Sequence, residues 1–342
     1  MAIDRFKGLV SMQEKTHVVV VGAGAFGTAL ALSSLKAGQK VTLYARRQEQ
    51  VDALNLKRFN DRYLPDVPLP ETLAITADLS VLKTADILLL AVPAQQTDQT
   101  IDDLKPFLRL STPIVICAKG IHRGEKSLLS GIVRRRVANP VAVLSGPSFA
   151  EELARGMPTA VMIASQDIDV AESIAKTLRH GTLRCYASQD IIGVQAAGAC
   201  KNVIAIASGI VDGLGMGCNA RAALLSRGLA EMTRLGVVLG GDKDTFLGLA
   251  GVGDLFLTAT SEKSRNYSFG LQLGQGQSTD EILSRRHSVT EGVVTTAAIY
   301  DIAKRLNVYA PLTQAVYRVL HEHETIESVI VDVLSRQSER EF

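Results

Sequence analysis

The chain has 342 residues, of which 46% are hydrophobic and 21% are charged. This balance is typical of a globular protein with enough apolar material for two domains. The formal net charge of +2 is too small to indicate a nucleic-acid or membrane-surface partner. Four cysteines without paired spacing indicate reduced thiols in a cytoplasmic protein, and six scattered histidines argue against a metal site.

The first fifteen residues, 1–15, contain Asp4 and Glu14 and no apolar core of signal-peptide length. We interpret them as an N-terminal extension. The alternative is that translation starts at Met12.

Short apolar runs alternate with helical patterns over residues 16–193. The runs are rich in Val, Ile and Leu, which is typical of strands buried on both faces of a parallel sheet. Helical patterns such as Thr28–Ala37 and Lys126–Val137 lie between them. The alternation predicts a doubly wound parallel sheet, a Rossmann domain, over residues 16–193. The candidate strands are Val18–Val21, Val41–Tyr44, Ile87–Val92, Ile114–Cys117, Val141–Leu144 and Ala160–Ala164.

The segment after the first strand reads Gly22-Ala-Gly24-Ala-Phe-Gly27 and leads into a helical pattern. In such a strand–turn–helix unit, the first glycine permits the tight turn and the second lets the backbone approach a pyrophosphate. The third glycine lets the helix pack closely on the strand, and the N-terminus of the helix directs its N–H groups at the phosphates. The turn therefore predicts a dinucleotide cofactor.

The end of the second strand indicates which dinucleotide is bound. NAD-binding domains usually place an acidic residue about 20 residues after the glycines. Here the strand continues into Arg46 and Arg47, with no acid at that point. Because arginine pairs bidentately with phosphate, we expect both to bind the 2′-phosphate of NADP(H), with NAD(H) accepted as well. The alternative is that the two arginines only begin a solvated helix.

Strand patterns vanish beyond about residue 193, and long helical patterns follow. We therefore predict a domain boundary near residue 193 and an all-helical second domain over residues 194–342. The predicted helices are Val194–Val211, Ala220–Leu235, Thr245–Leu249, Phe269–Leu273, Thr279–Leu283, Val293–Leu306, Leu312–His321 and Ile326–Arg336.

The first of these helices carries Lys201 and Asn202 in a run that is apolar nearly all round. Such a helix is expected to be buried, and burial lowers the pKa of a lysine toward the range of a proton donor at neutral pH. The alternative is a lysine whose stem packs while its head reaches water. Gln195, Lys201 and Asn202 interrupt the apolar run, so we do not expect it to span a membrane.

Nine sequence blocks, taken in chain order from about Val18 to about Leu334, resemble the bacterial NAD(P)-dependent glycerol-3-phosphate dehydrogenases. Nine blocks in the right order are far more specific than the glycine turn alone. They are Gly22–Leu30, Ala118–Gly120, Leu144–Ala150, Cys200–Ile206, Asn219–Leu225, Arg227–Met232, Ala250–Leu255, Thr258–Asn266 and Thr290–Gly292.

The resemblance implies the reversible reduction of dihydroxyacetone phosphate to sn-glycerol 3-phosphate with a nicotinamide cofactor, supplying glycerophospholipid synthesis. It also implies a Rossmann domain followed by a helical domain, with the active site between them, and a homodimer. No nucleic acid, membrane span or metal is expected.

The same resemblance implies residue roles. Lys201 matches the family's proton donor and acceptor, and Lys119 and Asp254 accompany it in catalysis. In the glycine turn, Ala25 stands where many members have serine. The residues matched to substrate contacts are Lys119, Gly146, Ser148, Lys201, Asp254, Ser264, Arg265 and Asn266. Those matched to cofactor contacts are Gly22, Gly24, Ala25, Phe26, Gly27, Lys119, Ala150, Arg265, Val289 and Glu291.

These residue types suit the reduction of a ketone, because hydride delivery builds negative charge on the carbonyl oxygen. Lys201 is expected to donate a proton to that oxygen, with Lys119 lowering its pKa and Asp254 orienting it or holding a substrate hydroxyl. Arg265 and Asn266 at a helix start are expected to seat the substrate phosphate. The structural alternatives are a loop lysine at 119, a turn residue at 254 and a plain helix cap at Ser264.

Two other functions remain open from the sequence. Related reductases, the β-hydroxyacid dehydrogenases among them, also join a Rossmann domain to helices and use a Lys-Asn pair, but act on carboxylate substrates. The Ser264-Arg-Asn266 block argues against them. A redox-sensing protein that binds the nucleotide without turnover is the second, and the presence of both Lys119 and Lys201 argues against it.

Overall fold

The computed structural model describes residues 15–285 and 290–335. The described part of the first half contains twelve strands and six α-helices. The strands are β1 His17–Val21, β2 Lys40–Tyr44, β3 Phe59–Asn60, β4 Leu64–Pro68, β5 Ala74–Thr76, β6 Ile87–Leu90, β7 Ile114–Ile116, β8 Ile121–His122, β9 Ser127–Leu128, β10 Val141–Ser145, β11 Thr159–Ser165 and β12 Leu183–Ser188. The helices are α1 Ala25–Lys36, α2 Gln48–Lys57, α3 Thr97–Leu104, α4 Leu129–Arg136, α5 Ala150–Arg155 and α6 Ile168–Leu178.

Eight of these strands form one sheet in the order β12-β11-β10-β7-β6-β1-β2-β5. The central strands β1, β6, β7 and β10 are buried throughout, as their unbroken apolar runs predict. Helices cover both faces, with one apolar cluster on each side of the sheet. The predicted Rossmann sheet is confirmed.

One strand departs from the parallel prediction. β11 pairs antiparallel with β10, while the other neighbours in the sheet are parallel. Between β10 and β11 lies only the six-residue helix α5. Parallel neighbours need a long crossover connection, whereas antiparallel neighbours can be joined by a short one. The short connection through α5 therefore favours antiparallel pairing of β10 and β11. The edge strands β5 and β12 were not predicted, because β5 has only three residues and polar, partly exposed positions interrupt the apolar pattern of β12.

Two helix predictions also need correction. The helix predicted over Lys126–Val137 begins only at Leu129, because Lys126 has a left-handed φ of 46° and the next two residues form β9. The helix predicted over Thr245–Leu249 is instead a 3₁₀ helix at Lys243–Leu247 followed by a π-helical turn at Leu249–Gly253.

The second half is helical, and no strand occurs over residues 191–285 and 290–335. Its helices are α7 Ile191–Gly213, α8 Gly217–Val238, α9 Asp254–Ala259, α10 Arg265–Gly274, α11 Thr279–Arg285, α12 Glu291–Arg305, α13 Pro311–His321 and α14 Ile326–Ser335. Helix α7 is the centre of this half and packs against α8, α9, α10 and α12.

Helix α7 is, among the described residues, the one helix long and apolar enough to cross a membrane. However, 94% of its most apolar window is buried inside the protein. A core helix of a folded domain has this character, and the neighbours of α7 account for its apolar surface.

Candidate active site

The glycine turn has the geometry that its sequence predicts. Gly22 follows β1 with a φ of 113°, and a Cβ atom there would lie 2.5 Å from the carbonyl oxygen of Ala91. A Cβ atom on Gly27 would lie 1.9 Å from the carbonyl oxygen of Gly22. A Cβ atom on Gly24 would meet nothing within 4 Å. The outer two glycines therefore permit close packing, while the middle one leaves open space at the start of α1.

Two amide side chains support this turn, and neither was predicted from the sequence. Asn60, which is buried, donates to the carbonyl oxygen of Ala23 at 3.1 Å and to the hydroxyl of Thr28 at 2.8 Å. Gln50 donates to the same carbonyl at 3.1 Å. Their positions gave no signal, since the contacts arise only when the chain returns to the turn from α2 and β3.

Arg46 and Arg47 lie exposed just after β2, and Arg47 immediately precedes α2. Within the described ranges, neither guanidinium forms an ion pair with a carboxylate. The position therefore fits both sequence readings: two cations available to an anionic ligand, or the solvated start of a helix.

The centre of the candidate site is one carboxylate held between two lysines. Asp254 is 1% exposed; its Oδ2 lies 2.8 Å from Nζ of Lys119, and its Oδ1 lies 2.6 Å from Nζ of Lys201. Lys119 also donates to the carbonyl oxygen of Gly146 at 2.7 Å. The Lys119 Nζ atom lies 6.0 Å from the ring centroid of Phe26, so the ion cluster borders the glycine turn.

Three different elements bring these charges together. Lys119 follows β7 at the carboxyl edge of the sheet, Lys201 lies in the middle of α7, and Asp254 begins α9. The π-helical turn before α9 is tightly folded, since a Cβ atom on Gly251 would lie 2.1 Å from the carbonyl oxygen of Phe246. Ligand sites of doubly wound sheets lie at this carboxyl edge, which is where the helical half meets the sheet.

Burial and charge shift the pKa values in the cluster in opposite directions. Burial lowers the pKa of Lys201 to about 7; Asp254 opposes this shift and the charge of Lys119 reinforces it. Burial by itself raises the pKa of Asp254, but the two ammonium groups outweigh it and hold that pKa below its usual value. The geometry therefore provides an ionised carboxylate beside a lysine able to release or take up a proton near neutrality.

Thr258 belongs to the cluster and was not predicted as a site residue. Its hydroxyl accepts a hydrogen bond from Nζ of Lys201 at 2.8 Å. It lies four residues after Asp254 in α9, so both side chains point from the same helix face. That spacing was a readable signal once Asp254 was placed on a helix.

The predicted phosphate seat lies at the start of α10. Ser264 caps this helix, its hydroxyl accepting from the backbone N–H of Tyr267 at 3.2 Å, as the structural alternative proposed. Arg265 is exposed at the first helical position. Asn266 is buried and contacts Asn202 of α7. On the sheet side, Ser148 donates to the carbonyl oxygen of Gly146 at 2.9 Å, the same oxygen that Lys119 contacts.

Three of the predicted cofactor residues remain to be located: Glu291, Ala150 and Val289. Glu291 begins α12 and accepts from the backbone N–H of Ala94 at 3.3 Å. Burial raises the pKa of Glu291, with the bond from Ala94 and the charge of Arg265 opposing the shift. Ala150 begins α5 in a half-buried position. Val289 lies outside the described residues.

Comparison with known proteins gives the same result for both halves of the chain. Residues 17–171 match the model of the NAD-dependent glycerol-3-phosphate dehydrogenase N-terminus, and residues 190–331 match that of the C-terminus. The glycerol-3-phosphate dehydrogenase [NAD(P)+] of Rhodospirillum rubrum is 46% identical over 322 residues, covering 94% of this chain and 92% of the relative. That of Pseudoalteromonas translucida is 42% identical, covering 95% and 98%.

A solved structure agrees with these relatives. The crystal structure of glycerol-3-phosphate dehydrogenase from Coxiella burnetii superposes with a TM-score of 0.90 at 40% sequence identity, covering 94% of this chain and 99% of that one. Since both domain models match in order and the relatives are covered almost end to end, the chain belongs to the NAD-dependent glycerol-3-phosphate dehydrogenase family.

Proposed function

We infer that the protein reduces dihydroxyacetone phosphate to sn-glycerol 3-phosphate, reversibly, with NADPH or NADH. The observation that carries this inference is the buried Asp254, paired with both Lys119 and Lys201 beside a dinucleotide-binding turn. The names of the relatives, which give NAD(P)+ as the cofactor, support the same reaction and both cofactors.

The residues present fit a nicotinamide dinucleotide. The open space at Gly24, between two glycines that tolerate no side chain, suits the close approach of a pyrophosphate. When bound, the cofactor supplies the hydride for the carbonyl carbon. The residues proposed to hold it are Gly22, Gly24, Ala25, Phe26, Gly27, Lys119, Ala150, Arg265, Val289 and Glu291.

Lys201 is the proposed general acid. Its ammonium donates a proton to the carbonyl oxygen as negative charge develops there, and in the reverse direction the neutral amine accepts the proton from the alcohol. A pKa of about 7 supports both directions near neutrality. Asp254 and Thr258 fix the Nζ atom, and the ammonium of Lys119 adds a second positive charge beside the reacting oxygen.

The substrate phosphate is proposed to lie against Arg265, Asn266 and the N–H groups at the start of α10, with Ser148, Gly146 and Ser264 completing the pocket wall. A guanidinium at a helix N-terminus is a strong site for a dianion. The hydroxyl oxygen of Ser264 accepts the hydrogen bond that caps α10, so the hydroxyl hydrogen can still donate to the phosphate.

We further propose that NADP(H) is the preferred cofactor, because Arg46 and Arg47 lie exposed where NAD-specific domains have an acid. The division near residue 193 into a cofactor domain and a substrate domain, a homodimer, a role in glycerophospholipid synthesis and a cytoplasmic location are proposals on the same family basis. The four unpaired cysteines support a reducing compartment.

The test is an absorbance assay of NADPH with the purified full-length protein. We expect oxidation of NADPH that depends on dihydroxyacetone phosphate, and none with a 2-keto acid of similar size. Turnover of the keto acid alone would instead assign the protein to the carboxylate-specific reductases. Cofactor binding without turnover of either substrate would favour the nucleotide sensor.

A further inference from the structure

Two buried asparagines connect the loop of Lys119 to the start of α12. The backbone N–H of Gly292 donates to Oδ1 of Asn266 at 3.0 Å. Nδ2 of Asn266 donates to Oδ1 of Asn202 at 2.9 Å, and Nδ2 of Asn202 donates to the carbonyl oxygen of Lys119 at 3.0 Å. Both asparagines are less than a tenth exposed. We call this chain, from Gly292 through Asn266 and Asn202 to Lys119, the amide relay.

The relay has a fixed direction, because its two ends have fixed roles. A backbone N–H only donates and a backbone carbonyl only accepts. Oδ1 of Asn266 must therefore face Gly292, its Nδ2 must face Asn202, and Nδ2 of Asn202 must face Lys119. Turning either amide over would oppose donors to donors and acceptors to acceptors in a buried setting, which is costly.

Close helix packing makes the relay possible. Helices α7 and α10 cross at glycines: a Cβ atom on Gly270 would lie 2.0 Å from the carbonyl oxygen of Ile206. A Cβ atom on Gly292 would lie 2.6 Å from Oδ1 of Asn266. These glycines let α10 and α12 approach α7 closely enough for the short asparagine side chains to bridge the gaps.

We propose that Asn202 is a positioning residue, which through the amide relay holds the main chain at Lys119 in register with Asn266 and the start of α12. The proposal rests on the proposed function. In this proposal the two residues of the Lys-Asn pair have different roles. Lys201 donates the proton, and Asn202 holds the backbone of Lys119 in position.

The reason lies in the two ends of Lys119. Its ammonium contacts Asp254 and Gly146, but these bonds are made by a flexible four-carbon stem. Asn202 fixes the backbone from which that stem begins. Without it, the partly buried carbonyl of Lys119 loses this hydrogen bond and the loop is expected to shift, moving the charge of Lys119 away from the reacting oxygen.

Two substitutions of Asn202 test this. Asn202→Asp keeps the shape and the acceptor for Asn266, but opposes a carboxylate oxygen to the Lys119 carbonyl. Asn202→Ser removes both bonds without adding charge. We expect each to lower kcat for dihydroxyacetone phosphate about 10- to 100-fold, with a smaller change in KM. Wild-type kcat in Asn202→Ser would overturn the proposal.

Gln195→Glu is the matched control. Gln195 is also a buried amide of α7, but it bonds Ser130 and the carbonyl of Ile191 instead of the site. The Gln195→Glu protein is expected to be less stable to unfolding than wild type but to have the same kcat. If it lost as much kcat as Asn202→Asp, any buried charge in α7 would explain the result and the proposal would fail.

A double variant shows whether Asn202 acts through Lys119. In a Lys119→Ala background, Asn202→Ser is expected to cost little more, because the side chain it places is already gone. If Asn202 had a merely structural role, Asn202→Ser would lower kcat in the Lys119→Ala background by the same factor as in wild type. Gly292→Ala disturbs the relay from the other end and should behave in the same way, so the test survives if one variant does not fold.

Amide hydrogen exchange provides a readout that needs no turnover. We expect Asn202→Ser to speed exchange at Gly292 and around Lys119, and Gln195→Glu not to do so. Unchanged protection at both segments would overturn the relay whatever the substrate. A wild-type protein without activity on dihydroxyacetone phosphate would instead overturn the proposed function, and this exchange result would still test the relay.

Discussion

Two carboxylates in the helical half are equally buried but differ in what surrounds them. Asp254 is paired with two lysine ammonium groups, and its pKa is held below the usual value. Glu231 of α8 accepts from the backbone N–H groups of Leu312 and Thr313, at 2.8 and 2.9 Å, and from the hydroxyl of Thr313 at 2.5 Å. Burial raises the pKa of Glu231, and these neutral donors reduce the shift without reversing it.

The comparison separates the proposed reactive site from a structural one. Glu231 caps the start of α13 and joins two helices, and neutral hydrogen bonds suffice for that role. Asp254 pairs with two cations where the sheet meets the helices, at the cost of burying its own charge and that of Lys201. Burial alone therefore does not mark function; the charged partners and the adjoining glycine turn do.

The largest effect is expected for a change in the proposed reactive site, the cluster around Asp254. Lys201→Ala removes the proposed general acid and should lower kcat about 10²- to 10⁴-fold. NADPH affinity should barely change, because the glycine turn is untouched. Steady-state kinetics together with cofactor titration measure both. A Lys201→Ala protein with near-normal turnover would show that the buried cluster is structural, like that of Glu231.

A second change leaves the ion cluster intact and removes the guanidinium that is proposed to bind the substrate phosphate. Arg265→Ala should weaken binding of dihydroxyacetone phosphate about 10- to 150-fold, the value of a charged hydrogen bond. Unphosphorylated dihydroxyacetone should lose much less, since it does not use the phosphate seat. Comparing KM and kcat/KM for both substrates decides the point. Equal losses would remove Arg265 from the phosphate site.

A change at the structural carboxylate, Glu231, should lower the stability of the protein and leave its kinetics unchanged. Glu231→Gln replaces one acceptor by a donor facing a backbone N–H, and should cost about 1–3 kcal/mol of unfolding free energy with kcat unchanged. Denaturant unfolding and the NADPH assay measure the two effects. A loss of kcat without a loss of stability would reverse the roles assigned to the two carboxylates.

The pH dependence of this loss has a definite sign. Because the pKa of Glu231 is raised by folding, the folded protein binds more protons than the unfolded chain above the unfolded value of 4.5. The stability from this group is greatest at acid pH and decreases as pH rises. The cost of Glu231→Gln should therefore shrink on going from acid to neutral pH.

The smallest expected effect concerns cofactor choice. Arg46→Asp should reduce kcat/KM with NADPH, because a carboxylate repels the 2′-phosphate, and should reduce it less or raise it with NADH. The double change of Arg46 and Arg47 should have the larger effect. An unchanged ratio of the two cofactors in the double variant would leave the arginines as the solvated start of α2.

Much of the architecture could be read from the sequence, because it depends on local patterns. Unbroken Val, Ile and Leu runs predicted the central strands, and the glycine spacing predicted a turn whose three positions have the expected steric roles. The reversal of β11 was not predictable in this way. Its apolar run looks the same in either direction, and only the short connection through α5 decides it.

The site residues also differ in whether a local pattern could reveal them. Lys201 stood out because a lysine in an apolar helix is exceptional. Thr258, Asn60 and the partners of Asn202 did not, since threonine and asparagine are ordinary residues at those places until folding brings distant segments together. Glu231 gave no signal either: its burial depends on α13, some eighty residues later in the chain.

The most direct test of the account is the pH dependence of kcat in wild type and in Asp254→Asn. With Lys201 as an acid of pKa about 7, kcat for reduction should fall as pH rises through neutrality, and kcat for oxidation of glycerol 3-phosphate should rise over the same range. Asp254→Asn removes the charge that raises this pKa, so the midpoint should move to lower pH. A flat profile, or a midpoint unchanged in the variant, would contradict a general acid at Lys201 controlled by Asp254.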